Sequence, residues 1–107
     1  IMSNSQNMVN QMQKASEITG EQVWHLPSGD EFLEEMKSKI ADLRNLGSSW
    51  GGACSAASFL GEFAGKSDWM HVDMAGPGCF GQDDKYTGTG SVGFGVKLLV
   101  SYVMFRK

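Results

Sequence analysis

The sequence predicts an α/β fold from three observations. Apolar residues recur at helical spacing in several separate stretches, a short extended run (Trp69 to Ala75) lies between two of them, and glycine clusters divide the segments. The expected count is about four helices to one or two strands. A single strand pair cannot cover so many helix faces, so the chain reads as part of a larger sheet-based domain.

The elements follow in order. Ile1-Met2 is an apolar pair that reads as the tail of a strand, and Ser3, Asn4 and Ser5 are helix-capping residue types. Met8, Met12 and Ala15, with Val9 beside them, mark a first helix that ends at Gly20. Val23 to Pro27 form an extended link, because Pro27 drives Leu26 away from helical angles. Ser28 and Glu31 stand at capping-box spacing before a second helix whose apolar stripe is Phe32, Met36, Ile40 and Leu43. Its far face carries Glu34, Glu35, Lys37, Lys39 and Asp42, the mixed charges of a solvated surface.

From Gly47 onward the composition changes: of the 14 glycines only Gly20 and Gly29 lie earlier. Gly47 to Gly52 is a loop, and Ala53 to Leu60 a helix of small side chains able to lie close against a neighbour, with Gly65 as its C-cap. Trp69 to Ala75 reads as a strand and Gly76 to Thr87 as a long loop. Val92, Val96, Leu99, Val100 and Val103 mark a final helix whose C-terminal end suits the basic Arg106 and Lys107.

Composition excludes several function classes. With 107 residues the chain fits one domain at most, 1–107. Nine Lys and Arg against 12 Asp and Glu give a net charge of −3, and no cationic cluster of the kind that releases counterions from nucleic acid is present. No apolar run reaches the roughly 18 residues a membrane helix needs, and the first residues lack the basic start and apolar core of a signal peptide. Cys54 and Cys79 are too few for a disulfide framework and lack the spacing of a zinc site, which makes free thiols and a cytoplasmic setting the expectation. Cys79, in a loop after Pro77-Gly78, is expected to be accessible but unactivated.

Candidate chemistry is sparse. Gly88-Thr89-Gly90-Ser91-Val92-Gly93 matches Gly-x-Gly-x-x-Gly, yet the predicted strand ends well before it, so a tight loop into the last helix is favoured over a phosphate cradle. His71 and Asp73 alternate along the predicted strand and could offer metal ligands. A buried, hydrogen-bonded pair anchoring the strand end is the favoured reading, with Trp69 on the same face as a packing residue. No serine occupies a nucleophile elbow, and His25 stands alone beside Trp24.

Ordered blocks carry a resemblance. They are Thr19-Gly20-Glu21-Gln22-Val23-Trp24-His25-Leu26-Pro27, Lys37-Ser38-Lys39-Ile40-Ala41-Asp42-Leu43-Arg44-Asn45, the small-residue helix Gly52 to Leu60, Trp69-Met70-His71-Val72-Asp73-Met74-Ala75-Gly76, and Thr89 to Leu98. In this order they resemble the C-terminal part of the catalytic domain of the leucyl aminopeptidase (cytosol aminopeptidase) family. The resemblance implies a three-layer α/β/α domain, assembly as a homohexamer, and removal of N-terminal amino acids from peptide substrates. It further implies two divalent metal ions, zinc or manganese, that polarise the scissile carbonyl and activate a bridging water.

The family's metal ligands and its catalytic lysine and arginine belong to motifs that would precede Ile1. No residue here is therefore expected to serve as a metal ligand or catalytic residue, and the 107 residues alone are expected to be inactive. The resemblance places Ala75 and Gly78 on the wall of the pocket for the substrate's first side chain, where Pro77-Gly78 replaces bulkier family residues. His71 and Asp73 match positions that are not metal ligands. The alternative expectation is a non-catalytic scaffold or assembly relative of the same family.

Overall fold

The computed structural model describes residues 1–84 and 88–105, with backbone alone for 79–84 and 88–89. The described elements run β1 (Met2–Ser3), α1 (Gln6–Thr19), α2 (Asp30–Glu34), α3 (Gly52–Gly61), β2 (Met70–His71), β3 (Cys79–Asp84), β4 (Gly88–Ser91) and α4 (Val96–Phe105). Four helices and a few short strands agree with the α/β expectation. The Cys79 thiol, residues Lys85 to Thr87 of the expected long loop, and Arg106 and Lys107 lie outside the described residues and side chains. The chain forms two compact units, Ile1–Val9 with Trp24–Val72, and Asn10–Val23 with Asp73–Lys107.

In the first unit, the strand pair is stitched by polar side chains. β1 runs antiparallel to β2, with Met2 opposite His71 and Ser3 opposite Met70. Ser3, Asn4 and Ser5, expected as helix caps, use their side chains mainly across this pair. Asn4 Nδ2 donates to the Ser67 carbonyl at 3.0 Å while its Oδ1 accepts the Trp69 N–H at 2.9 Å, and the Ser3 hydroxyl donates to the Trp69 carbonyl. The Ser5 hydroxyl donates to Asp68 Oδ2 at 3.0 Å, leaving the Ser5 carbonyl to accept the Val9 N–H in the first turn of α1. The extended link before Pro27 is fastened to Ile1, whose carbonyl accepts the Leu26 N–H at 2.9 Å. Met2, Val9, Met36, Cys54 and Ala57 are buried here, and α3 packs against α2 and β1. The Cys54 thiol is free, as expected.

The second helix is shorter than its apolar stripe predicts. α2 starts after Gly29 without a side-chain cap, so the Ser28–Glu31 box does not form. It ends at Glu34 because the hydroxyl of Ser38 takes the N–H groups of Ile40 and Ala41, each at 3.2 Å, and turns the chain. Lys37 then faces Leu43 across an isolated bridge, and the Met36 carbonyl accepts the Arg44 N–H at 2.7 Å. Met36 is buried while Ile40 is 98% exposed. Glu35, read as a solvated charge, ties the next loop down: its Oε2 accepts the Ser48 hydroxyl at 2.9 Å and the Ser55 hydroxyl of α3 at 3.4 Å.

The second unit holds the end of α1, where Met12 and Ala15 are buried, and α4, where Leu98, Ser101 and Tyr102 form the buried stripe. Before α4 in the chain lies a hairpin, not the long loop expected from Gly76 onward. β3 pairs antiparallel with β4, Cys79 opposite Ser91, Phe80 opposite Gly90 and Asp84 opposite Gly88, with an irregularity between Phe80 and Asp84. The glycine run hid this hairpin, because glycine carries no side chain whose alternation could announce a strand.

Candidate functional site

The candidate site is the turn that leads into β3. Asp73 opens it: its Oδ1 accepts the Ala75 N–H at 3.0 Å, an Asx turn that sends the chain off the extended path. The Met74 carbonyl then accepts the Gly78 N–H at 2.8 Å, closing residues 74–78 into one loop. Gly78 permits that closure sterically, since a Cβ there would stand 2.6 Å from the Met74 carbonyl oxygen. Ala75 is exposed and Gly78 half-buried, so the turn presents a methyl group and bare backbone. Both sequence-predicted pocket residues therefore belong to a single hydrogen-bonded turn.

A second constraint holds this turn from the side of α4. Gly95 sits just before the helix at φ +93°, and a Cβ there would lie 2.7 Å from Met74 Sδ. Glu21 supplies the cap for the helix. Its Oε2 accepts the Leu98 N–H at 2.8 Å and the Gly95 N–H at 3.3 Å, filling donors that the first turn of a helix leaves unpaired.

The Thr-Gly-Glu sequence explains how Glu21 reaches that position. The Thr19 hydroxyl donates back to the Ala15 carbonyl at 2.8 Å and accepts the Glu21 N–H at 3.3 Å. Gly20, at φ +73°, ends α1 in the left-handed conformation, with its N–H on the Ser16 carbonyl. Glu21 stands within the Thr19 to Pro27 block, and no local pattern gives it a task. Its acceptor role links residues 74 and 77 positions apart, beyond any local pattern.

The remaining candidates separate. His71 is half-buried at the end of β2 in the first unit. Asp73 is exposed in the second, with its carboxylate engaged by Ala75, so the expected buried His–Asp pair gives way to an Asx turn. Trp69 packs as expected, its indole so close to Gly61 that a Cβ there would meet Cζ2 at 2.6 Å. Gly88 and Gly90 are consumed by β4, so they do not form the strand-to-helix turn that a dinucleotide phosphate requires. Among the described residues no three His, Cys, Asp or Glu side chains gather as a metal site, and no helix is long and apolar enough to cross a membrane.

The fold is similar to that of known proteins. A solved structure of a mutant tomato leucine aminopeptidase matches 96% of the chain with a TM-score of 0.86 and 33% identity, over 20% of that structure's own length. The fold is thus the α/β fold of part of a leucine aminopeptidase structure. The chain belongs to the cytosol aminopeptidase family, whose catalytic domain matches residues 1–100. A probable cytosol aminopeptidase of Geobacter sulfurreducens is 45% identical over 103 residues, covering 96% of this chain and 21% of its relative. One from Nostoc punctiforme is 40% identical over 98 residues, 92% of this chain and 20% of its relative. The chain spans about a fifth of the length of these relatives.

Proposed function

We propose that this chain is the pocket-wall part of a leucyl aminopeptidase-like exopeptidase that removes N-terminal amino acids from peptides, and that it is inactive alone. The observation that carries the reading is the turn at residues 73–78. It stands inside the family match and offers Ala75 and Gly78, small and braced, as one wall for the substrate's first side chain.

The described donors do not fit a two-metal centre. No three potential ligands converge, and Asp73, the carboxylate nearest the turn, is committed to a backbone N–H. The two divalent ions, zinc or manganese, therefore belong to ligands outside the described residues, and no catalytic step is assigned to this chain. What the turn does is bind and orient: an exposed methyl beside bare backbone leaves room for an apolar side chain to be desolvated. The larger protein is read as a cytoplasmic homohexamer.

Two measurements test this. Leucine amide with added manganese or zinc is expected to show no turnover on the 107-residue chain, whereas metal-dependent turnover would overturn the assigned division of labour. The full-length protein that contains this sequence is expected to release N-terminal residues from peptides when supplied with metal. A metal-loaded full-length protein without that activity would favour the scaffold reading.

A further inference from the structure

We infer that Glu21 is a positioning residue for substrate specificity, acting on the pocket-wall turn through the start of α4; the inference rests on the reading of Ala75 and Gly78 as that wall. The connection is continuous and lies wholly within the second compact unit. Glu21 Oε2 holds the Gly95 and Leu98 N–H groups. Gly95 is buried, and its α-carbon is so near Met74 Sδ that no side chain fits between them. The Met74 carbonyl in turn holds the Gly78 N–H. Releasing the carboxylate frees the first turn of α4 to move, and the buried Gly95 can no longer hold Met74 in place.

The arrangement is more than a helix cap for two reasons. The capping carboxylate comes from just beyond the end of α1, far along the chain from the N–H donors it accepts, so it fixes one element against another. The donors it takes include the N–H of Gly95 itself, the residue that touches Met74, so the bond and the steric contact meet at one point. Glu21 itself touches neither substrate nor metal. It sets the depth of the wall, and therefore the size of side chain the pocket accepts.

The test uses the full-length protein, read by activity and by amide exchange. In the full-length enzyme, Glu21→Ala is expected to change the ratio of kcat/KM for leucine amide over alanine amide by about tenfold, with kcat for alanine amide held within about twofold. Glu21→Gln, which keeps an acceptor oxygen, restores the ratio. Asn4→Ala, which removes bonds from the first unit, leaves it unchanged. Glu21→Asp withdraws the acceptor by one methylene and gives the shifted ratio where the alanine variant does not fold. An equal loss on both substrates, or a glutamine variant as impaired as alanine, would overturn the inference.

Amide hydrogen exchange on the full-length protein, read at these residues, separates this inference from the functional reading beneath it. Glu21→Ala is expected to accelerate exchange by about tenfold or more at Gly78 as well as at Gly95 and Leu98. Acceleration at Gly95 and Leu98 alone reduces Glu21 to a local cap and defeats the proposal. Acceleration at all three in a protein without aminopeptidase activity leaves the brace standing and removes the substrate.

Discussion

Gly20 and Gly95 both hold left-handed backbone, at φ +73° and +93°, yet their surroundings differ: a Cβ at Gly20 meets nothing within 4 Å, and one at Gly95 meets Met74 Sδ at 2.7 Å. Gly20→Ala is expected to cost about 1 kcal/mol, the backbone term alone. Gly95→Ala carries that term and the displacement of the Met74 thioether, the far end of a flexible side chain, for about 1–2 kcal/mol together. Urea unfolding of the two variants measures the difference, and equal midpoints would show that Met74 yields without cost. At this scale the sequence was informative about residue type and silent about neighbours. A glycine two residues into Gly93-Phe94-Gly95 reads as a turn residue in either case.

Among the elements, α2 teaches most. Its apolar stripe is helical through Leu43, but the Ser38 hydroxyl captures two backbone N–H groups and the helix stops, leaving Met36 buried and Ile40 in solvent. Ile40→Lys is therefore expected to change stability by less than about 0.5 kcal/mol. Met36→Ala is expected to cost about 2–4 kcal/mol through the cavity it leaves. Thermal melting of both variants checks the pair; a large loss from Ile40→Lys would restore the longer helix. The β3–β4 hairpin is the converse case, a regular element built where the glycine-rich sequence signals only a loop. α1, α3 and α4 were legible, because their apolar residues stay in register from end to end and nothing local competes for their backbone.

For the whole molecule, the exposed apolar surface is the dominant feature. Along α4, Val96, Val100, Val103, Met104 and Phe105 are all more than half exposed, opposite the buried stripe of Leu98, Ser101 and Tyr102. A helix apolar on every side is normally enclosed, and Trp24, Trp50 and Phe63 add further exposed rings. The 107-residue chain is accordingly expected to self-associate or to be marginally stable. Sedimentation over a range of concentrations is expected to show a rising mean mass that Val100→Lys with Val103→Lys lowers. A monomer at every concentration with a sharp cooperative melt would contradict this.

The candidate site was legible in part. Ala75 and Gly78 could be named from a motif, but the bonds that make them one braced turn join atoms the motif does not relate.

Unaided, the sequence determined the family, the α/β class, three of the four helices and the small residues of the turn. These depend on periodicity and on side-chain size, which are local properties. Tertiary structure alone decided which polar side chains became structural: Glu21 on α4, Glu35 on Ser48 and Ser55, Asn4 on residues 67–69. A carboxylate or amide has many possible partners in an unfolded chain, and only the closing of distant segments selects one.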